Sequence, residues 1–383
     1  MSDTMFLLGA GASQPLGLPV TKGFFSNYNP PPTLSPLFNF ICNCLADNKK
    51  EELDLEAVFA LLSFYKDISS NVELNFLRQA FQSGEIFRIA SKNIYQHFNP
   101  AFSALHAFAT STSTSTDVNA LVKGSEKVKT ASNVAEALEE LSEKSRQLDK
   151  DIKHYVYTAF SRFEADKAIS VYEPIFAPVL KKQNGKLTIF TTNYDLILEN
   201  VFNTPRGIRQ EWAEYKVENI YLGFQFRILF FIFEPKFQQP PDGTVEIYKL
   251  HGSLNWDELN GYVFMGGAAR LPKDPEVPAF IYPGYRGIPE KEPFRSLHYL
   301  FAQRLLKTEQ LMVIGYSFRD VYINTLILQS LAANDNLKIY VFTPWFPPDS
   351  GFRILQRNFA DRVFHIDGKV GQDNLWDLVE GKE

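Results

Sequence analysis

Four short stretches of this chain set glycine and polar side chains directly behind an apolar run, where a strand hands its backbone to a turn. The first is Gly9-Ala10-Gly11-Ala12-Ser13, which follows Met5-Phe6-Leu7-Leu8 and precedes Gly17 and Pro19. Small residues there let the backbone come close to a pyrophosphate, whose charge is met by N–H groups of the loop and of a helix terminus. The pattern departs from G-x-G-x-x-G, since Gln14 stands where a glycine is usual, and a tight connection explains such a turn equally well. The second stretch, Thr191-Thr192-Asn193-Tyr194-Asp195, offers an amide and a carboxylate from one turn. Taken singly, a helix N-cap is its simpler account, because Leu196 to Val201 reads as helical.

The third stretch is His251-Gly252-Ser253-Leu254-Asn255-Trp256. A histidine beside an apolar strand is more often structural than catalytic. Here the adjoining glycine leaves the backbone unobstructed, a setting suited to taking a proton from a substrate hydroxyl or from water. The fourth, Gly315-Tyr316-Ser317-Phe318-Arg319-Asp320, follows Leu311-Met312-Val313-Ile314. A loop capping a helix that begins near Val321 would account for it alone. Unrelated caps need not share one edge of a sheet, so four such exits together point to a site.

The elements that must position these residues are short, apolar, β-branched runs at Leu187 to Thr191, Val245 to Leu250, Leu311 to Ile314, Leu337 to Phe342 and Arg362 to Ile366. Unbroken hydrophobicity suits strands covered on both faces, and helical patterns at Tyr299 to Lys307 and Ile323 to Leu331 lie between some of them. The expected fold is therefore α/β, a doubly wound, mainly parallel, Rossmann-like sheet with its ligand crevice beyond the carboxyl ends of the strands. From about Leu37 to Leu180 the spacing is mostly helical, as in Leu55, Val58, Phe59 and Leu62 or in Val134, Leu138 and Leu141. This predicts a core from residues 1–35 and 181–383, interrupted by a large helical insertion over 36–180. The Ser/Thr run from Ser111 to Thr116 reads as an exposed linker.

Composition narrows the function classes. Of the 383 residues, 45% are hydrophobic and 22% charged, ordinary for a globular protein. Against 39 Lys and Arg stand 44 Asp and Glu, a net charge of −5, so no global basic field draws the chain to nucleic acid or anionic lipid. Two cysteines, Cys42 and Cys44, are too few for a disulfide framework or a four-thiolate zinc module. The N-terminus lacks the layout of a signal peptide, and the apolar stretch from Tyr221 to Phe233 is too short to span a bilayer. A cytoplasmic protein without membrane contact is the expectation. No carboxylate cluster at metal-site spacing and no basic run interleaved with aromatics supports a nuclease or direct nucleic-acid binding by the monomer.

In their order, GAGAS with a following G-x-P, then TTNYD, KLHGS and IGYSFRD, these motifs resemble the sirtuin fold. More narrowly, they are similar to the sirtuin-like NAD-hydrolysing proteins of bacterial antiviral (anti-phage) defence, including the type associated with HerA. The resemblance covers about residues 1–25 and 185–345. It implies NAD as substrate, with no metal expected. It also implies that Gly9, Ala10, Gly11, Ala12 and Ser13 hold the pyrophosphate and that Asn193 contacts the nicotinamide ribose and organises the reacting water. Asp195 would hold the nicotinamide carboxamide, His251 would be the base, and Gly315 and Ser317 would lie near the adenosine ribose and phosphate. The missing zinc module, and Val20-Thr21-Lys22 where deacylating sirtuins continue Asp-Phe-Arg, set the chain apart from enzymes acting on acyl-lysine. Asp54-Leu55-Glu56-Ala57-Val58-Phe59 resembles an acidic helix of the defence proteins, although ordinary amphipathicity explains it too.

The resulting expectation is an NAD glycohydrolase (NADase) that cleaves NAD to nicotinamide and ADP-ribose, a regulated effector that depletes cellular NAD. A homo-oligomer and a HerA-type ATPase partner are implied, with control residing in the helical insertion. The alternatives are an NAD-dependent protein deacylase or ADP-ribosyltransferase, or a noncatalytic module that senses NAD or ADP-ribose.

Overall fold

Apolar runs that are covered on both faces build the centre of the molecule. The computed structural model describes residues 3–20, 23–46, 49–66, 131–204, 207–227, 230–234, 236, 238–259, 262–266, 278–280, 289, 291–344 and 350–380. The Ser111 to Thr116 run falls outside them. By its internal packing the chain divides into one unit of Met1–Val20 with Val156–Glu383 and a second of Thr21–Tyr155.

Apart from a two-residue pair at Asn203–Thr204 and Gly207–Ile208, the described strands of the first unit in chain order are β1 (Thr4–Leu8), β2 (Leu187–Thr191), β3 (Asn219–Tyr221), β4 (Phe224–Arg227), β5 (Phe230–Phe233), β6 (Thr244–Lys249), β7 (Gly252–Leu259), β8 (Tyr262–Met265), β9 (Pro278–Phe280), β10 (Gln310–Ile314), β11 (Lys338–Phe342) and β12 (Val363–Ile366). Seven of them form one sheet in the order β12-β11-β10-β1-β2-β6-β3, and every neighbouring pair is parallel. All positions of β1, β2 and β6 are buried, as expected of a parallel sheet covered on both faces. The fold is the α/β, Rossmann-like, doubly wound sheet expected from the sequence. Its chain leaves β1 toward β2 and β6, then crosses back to β10, β11 and β12. The reversal lies at β1, where such sheets hold ligands.

A second, antiparallel sheet, β9-β7-β8-β5-β4, was not anticipated. The stretch from Tyr221 to Phe233, a single apolar run on paper, is the end of β3 followed by the β4–β5 hairpin.

Nine helices bear on the argument: α1 (Ser35–Ala46), α2 (Leu55–Lys66), α3 (Ala131–Phe160), α4 (Ala165–Lys182), α5 (Ile197–Phe202), α6 (Phe294–Leu305), α7 (Val321–Ala333), α8 (Gly351–Asn358) and α9 (Leu375–Glu380). Although α4 lies in the segment read as an insertion, it packs on the sheet. Its Phe176 meets Phe6 edge-on at 5.2 Å and stacks near Phe202 at 5.8 Å. Among the described residues no helix is long and apolar enough to cross a membrane.

The described residues of the second unit are helical. Leu55, Val58, Phe59 and Leu62 form the buried stripe of α2, and Leu141, Leu148 and Ile152 the buried stripe of α3. Polar ties add register. The Ser142 hydroxyl donates to the Lys66 carbonyl at 2.7 Å, Tyr28 donates to Asp151 at 2.6 Å, and Asp149 pairs with Lys66 at 3.1 Å and Lys153 at 3.0 Å.

The loops leaving β1 and β10 approach so closely that side chains are excluded between them. Gly315 has φ of +63°, and a Cβ there would sit 2.2 Å from the Ala12 nitrogen, while one at Gly9 would sit 2.5 Å from the Tyr316 Cα. Both contacts are to backbone, which cannot rotate aside. Gly315→Ala is therefore expected to lower stability by more than about 1 kcal/mol, measured as a shift in the urea midpoint. An unchanged midpoint would contradict the close approach.

Candidate functional site

Four strands end in register. Leu8 pairs with both Ile314 and Thr191, and Thr191 pairs with Lys249. The residues that follow, Gly9, Gly315, Thr192 and Leu250, therefore leave the sheet on one edge.

The first loop and the second are tied together. Asn193 donates its side-chain amide to the Gly9 carbonyl at 3.0 Å and to the Ser13 hydroxyl at 3.1 Å. Ser13 in turn donates to Asp195 Oδ2 at 2.9 Å, and Asp195 Oδ1 accepts the Ile197 N–H at 3.0 Å. Asp195 thus does what a residue before a helix is expected to do, while its second oxygen grips the neighbouring loop. Burial raises its carboxyl above the ordinary range, against the opposing charge of Lys249.

Gly9-Ala10-Gly11-Ala12-Ser13 does not open an α-helix. It forms the short 3-10 turn Ala10–Ala12, followed by another at Gln14–Leu16. Four of its N–H groups are engaged, Gly9 with the Ile314 carbonyl and Gly11 with the Gly315 carbonyl, each at 2.9 Å, and Ala12 and Ser13 within the turn. The glycines here serve the approach of two loops. A phosphate at this turn would share or displace those bonds. Gly315 is half-buried against Gly11 and Ala12, and Ser317 is exposed on the same loop.

At the exit of β6 the His251 side chain is only 2% exposed. Its Nε2 lies 3.0 Å from Asp320 Oδ2, while Asp320 Oδ1 accepts the Ile323 N–H at 2.9 Å at the start of α7. The buried Nδ1 of His251 has no partner among the described residues. Burial alone would raise the Asp320 carboxyl, but its hydrogen bond with His251 brings it below the usual range. Beside this pair lies His298, 6.3 Å from His251 between ring centroids. Its Nδ1 is 2.8 Å from the Phe294 carbonyl, so that nitrogen must be the donor. Burial lowers the His298 pKa to about 4. One donor atom each from His251, His298 and Asp320 falls within 4.8 Å of the others, a set that could also hold a cation.

Lys249 joins the exits of β2 and β6. The buried ammonium pairs with Glu199 at 2.9 Å, donates to Ser253 Oγ at 3.0 Å, and reaches the Tyr194 and Asp195 carbonyls. Ser253 passes a hydrogen bond to Asn255 Oδ1 at 2.7 Å. The structure therefore gathers Gly9, Ser13, Asn193 and Asp195 into one network, sets Gly315 against that loop, and places His251 in a second group with Asp320. Sequence reading passed over Lys249, Glu199, Asp320 and His298 as site residues. The available signal was a lysine closing an apolar strand two residues before the histidine.

Two outcomes follow from these burials. Lys249→Met strands the Glu199 carboxylate, so a loss of about 3–5 kcal/mol is expected, with partial recovery in the Lys249→Met, Glu199→Gln double variant. Urea unfolding of all three proteins measures it, and a neutral single variant would disprove the buried pair. His298 stays neutral to about pH 4, whereas an unfolded histidine protonates near 6.5. The stability this contributes is whole above pH 6.5 and is lost as pH falls toward 4. His298→Asn keeps an N–H for the Phe294 carbonyl but does not titrate, so its stability should fall less steeply than wild type across that interval. Equal slopes would refute the assignment.

Residues 187–363 match the family model described as SIR2-like domain. The matched span holds Asn193, His251 and Gly315, and the Gly9 to Ser13 loop lies outside it. No curated protein matches the chain. Among solved structures, a triple mutant of a Sir2 homologue in complex with 2'-O-acetyl ADP ribose aligns over 99% of this chain and 90% of its own, at 13% identity and a TM-score of 0.39.

Proposed function

We propose that the chain is an NAD glycohydrolase, which binds NAD across the carboxyl edge of the parallel sheet and hydrolyses the bond between nicotinamide and ribose. One observation carries the reading: the amide of Asn193 and the imidazole of His251 follow two adjacent, in-register strands, beside the point where the sheet reverses direction. The SIR2-like match over these same exits supports NAD as the substrate.

In this reaction the electrons of the C1'–N bond leave with nicotinamide, which departs neutral, and positive charge develops on the ribose. Water then joins C1' and gives up a proton. The chain's part is to hold the sugar, orient the water and receive that proton. Asn193 would exchange its bonds to Gly9 and Ser13 for bonds to the ribose and the water. His251 would take the proton. Asp195 would reach the nicotinamide carboxamide by releasing Ser13, and the loops at Gly9 to Ser13, Gly315 and Ser317 would meet the pyrophosphate and adenosine.

Unrestrained NAD hydrolysis harms its own cell, so the activity needs control. We assign that control to the helical unit, through self-association or a separately encoded HerA-type ATPase, in a setting of anti-phage defence. The motif resemblance supports this part of the reading.

Purified protein incubated with NAD, with and without the product of its neighbouring gene, should release nicotinamide and ADP-ribose in equal amounts without any peptide. His251→Ala and Asn193→Ala should each reduce turnover by about 100-fold or more while retaining the wild-type circular dichroism spectrum. Turnover at the wild-type rate in both variants would remove the assignment. Products that form only with an acylated peptide would replace hydrolysis by acyl transfer.

A further inference from the structure

We propose that Asp320 is the positioning residue for His251, fixing its ring as the Nε2–H tautomer so that Nδ1 is the nitrogen that receives the proton. The inference rests on the reading of His251 as the base and specifies which of its atoms acts.

Three observations carry it. Asp320 is held at both carboxylate oxygens, Oδ1 by the Ile323 N–H at 2.9 Å and Oδ2 by His251 Nε2 at 3.0 Å. A carboxylate pinned by a helix N-terminus cannot turn away, and an ionised one only accepts, so the shared proton belongs to Nε2. In the neutral ring Nδ1 then carries the lone pair, and it is buried with no partner among the described residues. An unmatched buried acceptor is costly unless a ligand completes it. Third, the neighbouring imidazole does not compete. His298 spends its Nδ1–H on the Phe294 carbonyl and is kept neutral by burial.

The step balances. An O–H bond of water or of a ribose hydroxyl breaks, its electron pair stays on oxygen, and its proton goes to Nδ1. The imidazolium formed lies against the Asp320 charge, which stabilises it as the reaction proceeds. The same cluster could instead hold a divalent cation. His251 Nε2 and Asp320 Oδ2 lie 3.0 Å apart, a hydrogen-bond distance that needs no bridging ion.

Asp320→Asn separates the roles. Asparagine caps a helix as well as aspartate does, so α7 should keep its start. Its amide then presents N–H toward Nε2, which must accept, and the ring proton moves to Nδ1. The expected result is a fall in kcat of about 100-fold or more, a KM for NAD within about three-fold of wild type, and an unchanged circular dichroism spectrum.

Nitrogen-15 NMR of histidine-labelled, NAD-free protein should show His251 protonated at Nε2 in wild type and at Nδ1 in the variant, with His251→Ala identifying the signal. This readout does not depend on turnover. A wild-type ring protonated at Nδ1 overturns the inference, as does wild-type kcat in Asp320→Asn. So does stoichiometric zinc whose removal by chelator abolishes activity. Full activity in His251→Ala would instead sink the reading of His251 as base, leaving the tautomer assignment to be judged by NMR.

Discussion

Everything at this edge depends on the flush parallel pairing of β10, β1, β2 and β6. The ladder continues one residue beyond each strand, since Gly9 N–H bonds Ile314, Thr192 bonds Leu8, Leu250 bonds Thr191 and Gly315 bonds Phe342. The first residue of every exit is thus placed by the sheet and not by the loop's own preferences. Side chains alternate along a strand, so slipping one strand by a single residue would turn its buried face outward and carry its exit out of line. Burial of β1, β2 and β6 on both faces forbids that slip.

A sheet edge leaves carbonyls that no further strand serves, and a buried edge must satisfy them. Lys249 does this for the turn after β2 by donating to the Tyr194 and Asp195 carbonyls, with Glu199 balancing its charge. A buried ion pair is a poor source of net stability, because desolvation offsets most of its attraction. Its value here is geometric. One ammonium, anchored on β6, sets the position of the turn that carries Asn193, and it stands two residues from His251. The two proposed reactive groups are therefore registered to each other through Lys249 as well as through the ladder.

Six of the seven strands of the parallel sheet were legible because each is a short, mostly apolar run, whereas β3, with Asn219 exposed, gave no such signal; the exits were legible because glycine and polar residues end those runs abruptly. Helix capping was the local reading of both the Asn193–Asp195 turn and the loop before Val321; Asp320 does cap α7, and Asp195 accepts the Ile197 N–H one residue ahead of the cap position. A carboxylate has two oxygens, however, and the second one, turned to Ser13 in one case and to His251 in the other, depends on contacts across 182 and 69 residues of chain. No local pattern encodes such a contact. The second sheet was missed because β4 and β5 merge with the end of β3 into one apolar stretch. Helix α4 was grouped with the helices before it because period alone does not tell which surface an apolar stripe meets. Pro174 and Pro178 lie inside that helix and further blur its pattern. As for the glycines of the first loop, spacing alone left a phosphate cradle and a tight turn equally open, and the contact with Gly315 is the part of the answer the structure adds.

The polar groups of the edge fall into two energetic classes. The Asn193 side-chain N–H groups, Ser13 and Asp195 bond one another and Gly9, so a ligand that takes one of those bonds first breaks an existing one, and the exchange is close to neutral. Among the described residues the Nδ1 of His251 has no such bond to lose, and an unmet buried acceptor costs about 1–3 kcal/mol. A hydroxyl delivered to that nitrogen therefore gains the full value of its hydrogen bond, while amide contacts on the Asn193 side add selectivity at little net energy. On the proposed reading, binding is driven where the proton will be taken and is merely aligned where the sugar is held. That division favours a ligand whose hydroxyl reaches the imidazole over one that contacts the loops alone.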